Sequence, residues 1–61
     1  MQYVLKTYGD DAPEPVVKTA AFAADAQALD HGRGLLRRIA ALRQVEVWRG
    51  ERRVATVERF V

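Results

Sequence analysis

Few residues in this chain could carry out chemistry. The sequence contains no serine, cysteine or asparagine, and His31 is its one histidine. Serine and cysteine nucleophiles are therefore excluded, and a threonine nucleophile would depend on that single histidine as its base. Thiolate metal sites, and zinc sites built from histidine and cysteine, cannot be assembled within one chain. We expect a protein that is not an enzyme, with no metal, no cofactor and no small-molecule substrate.

Two short motifs have ligand-like residues but the wrong spacing. Residues 10–14 supply three carboxylates, yet they lack the alternate-residue pattern of a calcium loop. The run Gly32-Arg33-Gly34 lacks the preceding strand, the third glycine and the following lysine of a phosphate-binding loop. We interpret the first motif as a solvated acidic turn and the second as part of a helix.

The residues with binding chemistry lie near the C-terminus, where arginines surround an aromatic residue. Together with the two tyrosines of the first strand, they form our candidate partner-binding set: Trp48, Arg49, Arg52, Arg53, Tyr3 and Tyr8. Arginines contact phosphates, and aromatic rings stack on the bases of single-stranded nucleic acid. Weak nucleic-acid binding through this arginine and tryptophan hairpin is therefore one candidate function, although three glutamates among the arginines reduce the positive field.

Charge is divided unevenly along the chain. Residues 1–31 carry two lysines against five carboxylates, a net charge of −3. Residues 32–61 carry eight arginines against three glutamates, a net charge of +5. The overall charge of +2 therefore conceals a basic C-terminal half. This arginine content is typical of a surface that binds phosphate or carboxylate groups, and it is equally explained by a genome rich in G and C.

Turn-forming residues divide the chain into five elements. Two prolines and a glycine in residues 9–15 separate two runs rich in β-branched and aromatic residues, and Gly50 separates two more. A longer segment with helical periodicity lies between these pairs. We expect a single domain, 1–61, with strands at about residues 2–8, 16–22, 43–49 and 53–59 and a helix at about residues 24–41.

The helix has the clearest periodicity. At 100° per residue its apolar residues share an arc of about 120°, and this face comprises Ala28, Leu29, Gly32, Leu35, Leu36 and Ile39. The apolar residues stay in phase across Gly32 and Gly34, which predicts one unbroken helix. Gly32 lies within the apolar face, where the missing side chain allows close approach to a sheet, whereas Gly34 faces solvent. We expect Asp25 to cap the first turn.

The second pair of strands has the pattern of a tight hairpin. Glycine at the first central position of the loop Gly50-Glu51 favours a type II′ turn. The resulting register pairs Val47 with Val54 and Trp48 with Arg53. In this register we expect Trp48 to face away from the helix and Arg53 to lie over its ring in a cation–π contact.

The segment from Val45 to Ala55 reads VEVWRGERRVA. It resembles the end of small uncharacterised bacterial proteins in which an acidic, alanine-containing helix precedes a hairpin of the pattern V-E-V-W-x-G-x-R-x-V-A. The resemblance implies the hairpin and a bacterial source, and it implies no activity.

These elements predict an α+β fold of the order ββαββ, with a four-stranded antiparallel sheet and one helix packed on one face. The other face would expose Trp48 and a tyrosine, and exposed apolar surface usually marks an interface. A core this small is often supplemented by oligomerisation. We therefore hypothesise a small protein-interaction module that forms a homodimer or binds another protein.

Sequence features also predict where the protein is located. The longest apolar run, residues 20–24, is too short to span a bilayer, and the N-terminal segment lacks the pattern of a secretory signal. The absence of cysteine suits a reducing compartment. We expect a cytoplasmic protein with no membrane partner.

Overall fold

The computed structural model describes residues 1–10 and 13–59, so Asp11 of the acidic turn lies outside the described residues. The elements follow in the order β1 (Gln2–Gly9), β2 (Val16–Ala21), α1 (Asp25–Arg38), β3 (Leu42–Arg49) and β4 (Arg52–Glu58). The four strands form one antiparallel sheet in the order β2-β1-β3-β4, and α1 packs on one face against β3 and β4. The predicted ββαββ fold is confirmed.

The core lies between α1 and the two central strands. Alternate residues of β1 and β3 point toward the helix, as the period of two in a strand requires. The fully buried apolar side chains are Tyr3, Leu5, Val45 and Val47 from the sheet and Ala28 and Leu36 from the helix. Leu5 pairs with Val47 across β1 and β3, so the core crosses the middle of the sheet.

Gly32 brings the helix close to the sheet. It is buried, and a Cβ atom added to it would lie 3.3 Å from Cγ1 of Val45 and 3.9 Å from Cγ2 of Val47. Gly34 has no such role, because a Cβ atom added there would meet nothing within 4 Å. Both glycines lie inside α1, which confirms the expectation of one unbroken helix.

The helix ends earlier than its periodicity predicts. It stops at Arg38, and Ile39 adopts an extended conformation with 44% of its surface exposed, so its predicted place on the apolar face is wrong. A residue distant in the sequence contacts this end of the helix. The guanidinium group of Arg59 donates hydrogen bonds to the carbonyl oxygens of Leu36, Ile39 and Leu42, and the Leu36 oxygen is one of the acceptors that the last turn of a helix leaves free.

The predicted cap at Asp25 is also wrong. Ala24 is the N-cap residue, and no side chain caps the first turn from that position. Instead the side-chain oxygen of Gln27 accepts a hydrogen bond from the backbone N–H of Ala23 at 2.9 Å. The Asp25 carboxylate still favours the positive end of the helix dipole, but its hydrogen-bond partners come from the sheet.

The second hairpin has the predicted turn but a different register beyond it. A type II′ turn requires a positive φ angle at its first central residue but not at its second. Gly50 has a φ angle of +63°, and Glu51, like every other described non-glycine residue, does not have a positive φ. Trp48 pairs with Arg53 as expected. A β-bulge then shifts the pairing, so Val47 pairs with Ala55 and the predicted partner Val54 is the extra residue.

The two helix glycines generate a prediction about stability. We expect Gly34→Ala to raise the free energy of unfolding by about 1 kcal/mol, because alanine favours the helix and its methyl group meets open space. In a domain of this size, the melting temperature should rise by about 4 to 8 °C. Gly32→Ala is the matched control, since the same gain is opposed by overpacking against Val45 of about 1 to 3 kcal/mol. Equal stabilisation of both variants in thermal unfolding would contradict the close helix–sheet contact.

Candidate interaction surfaces

The sheet separates the six candidate residues onto different surfaces. The strand registers place three of them on the face away from the helix, namely Tyr8, Trp48 and Arg53. Two lie on the helix side, namely Tyr3 and Arg49, and Arg52 lies exposed beside the hairpin turn. Tyr3 is fully buried, so only Tyr8 can accompany Trp48 on the open face. The predicted continuous strip of arginine and aromatic residues is therefore not formed.

On the open face, four side chains form a hydrogen-bonded group that we call the open-face cluster: Tyr8, Glu46, Trp48 and Arg53. The Tyr8 hydroxyl donates to Oε1 of Glu46 at 2.6 Å, and the Trp48 indole N–H donates to the same oxygen at 3.4 Å. The Arg53 guanidinium donates to Oε2 at 3.3 Å. With these three donors above it, Glu46 is only 8% exposed although it lies on the open face.

The cluster fixes the protonation of its members. The hydrogen bond from Tyr8 is the main reason that the pKa of Glu46 lies below its ordinary value, and burial opposes this shift. Donation from Trp48 and Arg53, with the positive charge of Arg53, lowers this pKa further. The same Tyr8–Glu46 bond raises the pKa of Tyr8, with burial and the negative charge of Glu46 acting in the same direction. At neutral pH the carboxylate is therefore ionised and the phenol protonated, an arrangement that holds the aromatic rings in place.

The cation over the Trp48 ring is a lysine. The Nζ atom of Lys6 lies 4.5 Å from the centroid of the ring, so the expectation that Arg53 would occupy this position is wrong. Arg53 is drawn to the Glu46 carboxylate instead. Lys6 stands opposite Glu46 in the β1–β3 register, which is two residues from Trp48 on the same face, and its side chain reaches diagonally to the indole.

A second group with the same chemistry lies on the helix side, and we call it the helix-side cluster: Tyr3, Asp25 and Arg49. The Tyr3 hydroxyl donates to Oδ1 of Asp25 at 2.5 Å, and the Arg49 guanidinium donates to the same oxygen at 3.2 Å. The hydrogen bond to Asp25 is the largest of the effects that raise the pKa of Tyr3. This cluster joins the start of α1 to β1 and β3.

Two of the six arginines outside the two clusters also form ion pairs. Arg33 pairs with Asp30 at 3.3 Å and Arg43 with Asp10 at 2.8 Å, in addition to the arginines of the two clusters. Within residues 1–10 and 13–59, no ion pair involves Arg37 or Arg52. The basic half of the sequence therefore folds into a surface on which several carboxylates lie beside arginines.

Two exposed apolar side chains lie next to each other on an outer strand that sequence reasoning did not select. Val16 and Val17 of β2 are 50% and 58% exposed. They point to opposite faces of the sheet, and every residue of β2 except Ala20 is exposed. Because α1 packs on β3 and β4, it leaves β2 uncovered. The signal in the sequence was the ambiguity of this strand, which carries apolar residues on both faces.

Other types of site were sought among the residues that the structure describes. No three histidine, cysteine, aspartate or glutamate side chains in residues 1–10 and 13–59 converge in a way that could hold a metal ion. The helix in this part of the chain is too short and too polar to cross a membrane.

Comparison of the chain with protein-family models, with curated proteins and with solved structures gives no match.

The open-face cluster generates a prediction about pH. The pKa of Glu46 is lower in the folded protein than its ordinary value of 4.5. The ionised carboxylate therefore contributes fully to the free energy of unfolding above pH 4.5, and this contribution is lost as the pH falls through the pKa of the folded state. Glu46→Gln removes this titration and the charge-assisted hydrogen bonds. We expect it to lower the free energy of unfolding by about 1 to 3 kcal/mol at pH 7. Urea unfolding should show that the difference from the wild type shrinks below pH 4.5.

Glu58→Gln is the matched control, because it makes the same change at an exposed position of β4. We expect its pH profile to follow that of the wild type. A Glu46→Gln profile with the same pH dependence as the wild type would show that the cluster does not hold the carboxylate ionised.

Proposed function

We propose that this protein is a small non-catalytic interaction module that self-associates through its outer strand β2. The observation that supports this best is the exposure of Val16 and Val17 on a strand that no other described element covers. An uncovered outer strand with exposed β-branched residues is a template for pairing with another strand.

The backbone of β2 presents free hydrogen-bonding groups to a partner. Met1 and Phe22 exchange two backbone hydrogen bonds, of 3.0 and 3.1 Å, and so form a hydrogen-bonded pair. Such pairs alternate along antiparallel strands with pairs that do not bond to each other. Counting along the β1–β2 register, the backbone groups of Val17, Thr19 and Ala21 therefore point away from β1 and toward the outer edge.

One symmetric register uses all of these groups. If two copies of β2 pair antiparallel about a twofold axis at Thr19, Val17 bonds to Ala21 of the partner subunit and Thr19 to its own symmetry mate. Lys18 then lies opposite an alanine, Ala20 of the partner subunit. An axis at Lys18 would use fewer outward-facing groups and would place two lysines directly opposite each other, which is destabilising. The Thr19 axis is therefore favoured.

The side chains of β2 agree with this register. Val16 would lie opposite Phe22 of the partner subunit, and Val17 opposite Ala21 of the partner subunit, so both exposed valines gain apolar contacts. Pro15 precedes the strand and cannot donate to a ladder, which limits the pairing to β2 itself. The product would be a continuous eight-stranded sheet with β2 strands at its centre, a closed twofold assembly.

A substitution at the edge tests this directly. Thr19→Pro removes an outward-facing N–H but no bond to β1, and proline is tolerated at such positions of outer strands. We expect the wild type to sediment as a dimer at high micromolar concentration and Thr19→Pro to sediment as a monomer with an unchanged far-UV spectrum.

The matched control is Thr56→Pro, which makes the same change on the other outer strand. Arg59 and Arg43 form a hydrogen-bonded pair, and bonded pairs alternate with non-bonded pairs along the β3–β4 ladder. The backbone groups of Thr56 therefore point outward and do not bond to β3. We expect this variant to remain dimeric. A monomeric wild type at high micromolar concentration, or equal effects of the two prolines, would refute self-association through β2.

The ion pairs favour a protein partner over nucleic acid. Arg49 and Arg53, two of the arginines proposed to contact phosphates, are paired with Asp25 and Glu46. Trp48 is half-buried under Lys6 and bonded to Glu46, so its ring is less free to stack on a base.

We therefore expect labelled single- and double-stranded oligonucleotides not to bind measurably at physiological salt. Fluorescence anisotropy at two salt concentrations checks this, because phosphate contacts must weaken steeply as salt rises. Tight binding with such a salt dependence would instead favour the arginine and tryptophan hairpin as a nucleic-acid site.

A further inference from the structure

The opposite edge of the sheet carries a groove that neither cluster uses. It runs between α1 and β4, with volumes of about 400 Å³ toward the end of the helix and about 320 Å³ toward its middle. Its walls are formed by Leu29, Arg33, Leu36 and Arg37 from the helix and by Ala55, Thr56, Val57, Glu58 and Arg59 from β4 and the residue after it.

The floor of the groove lies beside free backbone groups. The bond from the N–H of Arg59 to the carbonyl oxygen of Arg43 marks one hydrogen-bonded pair of the β3–β4 ladder. By alternation, the N–H and C=O groups of Thr56 and Glu58 point outward from the edge of the sheet. An added strand would therefore find hydrogen-bond partners beside the groove.

The two ends of the groove differ in chemistry. Toward the middle of the helix, Leu29 from α1 and Ala55 and Val57 from β4 give the groove an apolar part, which adjoins Arg33. Toward the end of the helix, arginines from both sides line the groove, namely Arg33, Arg37 and Arg59, while the side chain of Glu58 belongs to the face away from the helix because Glu58 pairs with Gln44. Arg33 is paired with Asp30, whereas no described residue forms an ion pair with Arg37 or Arg59, so these two arginines give this end of the groove its positive charge.

We propose that this groove binds an extended acidic peptide segment of another protein, which adds to β4 as a fifth strand. An apolar side chain would fill the Leu29 end, and a carboxylate two positions away would lie among the arginines. Alternate residues of a strand face the same side and are about 6.8 Å apart, a spacing that matches two adjoining parts of one groove. Main-chain bonds would supply affinity, and the two side chains specificity.

Charge complementarity favours this occupant over a second copy of the chain. A second copy of β4 carries Arg52 and Arg53 and is followed by Arg59, so it would add positive charge to an edge that is already lined by arginines. A carboxylate in the groove instead meets Arg37, for which no described residue supplies an ion pair. The groove and β2 lie on opposite edges of the sheet, so this proposal does not rest on self-association.

The test uses the full chain and fluorescein-labelled, capped peptides of about eight residues, long enough to lie along β4. Each peptide is polythreonine with one leucine and, two positions away, one glutamate. Both orders of the two residues are made, because a peptide can add to β4 in either direction. A control peptide carries glutamine in place of glutamate. We expect a glutamate peptide to bind with a Kd below about 1 mM and the glutamine peptide to bind at least fivefold more weakly. Backbone amide signals of Thr56 and Glu58 should shift on binding.

Variants identify the groove as the site. Arg37→Gln should weaken binding about fivefold, and Arg52→Gln, the same charge change outside the groove, by less than twofold. Thr56→Pro should abolish binding, whereas Thr19→Pro should leave it unchanged, which reverses their expected effects on dimerisation.

Three results would overturn the proposal. The first is no binding of either glutamate peptide at millimolar concentration, and the second is equal effects of Arg37→Gln and Arg52→Gln. The third is loss of the dimer in Thr56→Pro, which would show that the groove is filled by a second copy of the chain.

Discussion

The structure depends on the close contact between α1 and β3 at Gly32. A helix is about 10 Å wide and neighbouring strands are about 4.8 Å apart, so one helix covers about two strands of a sheet. Here the missing side chain at Gly32 lets the helix backbone approach Val45 and Val47, which fixes it over β3 and β4. The exposure of β2 follows from this placement, because the chain has no second helix among its described residues to cover it.

Features set by neighbouring residues could be predicted from the sequence. The spacing of Ala28, Gly32 and Leu36 gave the buried face of the helix, because these side chains repeat with its period. Glycine at position 50 gave the turn, since only a residue that tolerates a positive φ suits its first central position. Each strand boundary consequently lies within one residue of its prediction.

Features set by distant residues could not be predicted. The hydrogen bonds to the carbonyl groups at the end of the helix come from Arg59, which is about twenty residues away in the sequence from Leu36 and Ile39. The burial of Glu46 depends on Tyr8, which is 38 residues away in the sequence and donates a hydrogen bond to its carboxylate. Asp25 and Glu46 each accept hydrogen bonds from one tyrosine and one arginine. These contacts require β1 to lie beside β3, and the sequence alone does not give the strand order.

The two outer strands differ in the way they meet solvent. β4 carries Arg52, Arg53 and Glu58 and contains the extra residue of a β-bulge, and charges and bulges on an outer strand discourage pairing with an identical strand. β2 carries one charged residue, Lys18, which the register about Thr19 places opposite alanine. The two proposals therefore assign different partners to the two edges, a second copy of the chain at β2 and an acidic segment of another protein at β4. This division follows from the position of the helix, which leaves β2 bare and forms with β4 a groove lined by arginines.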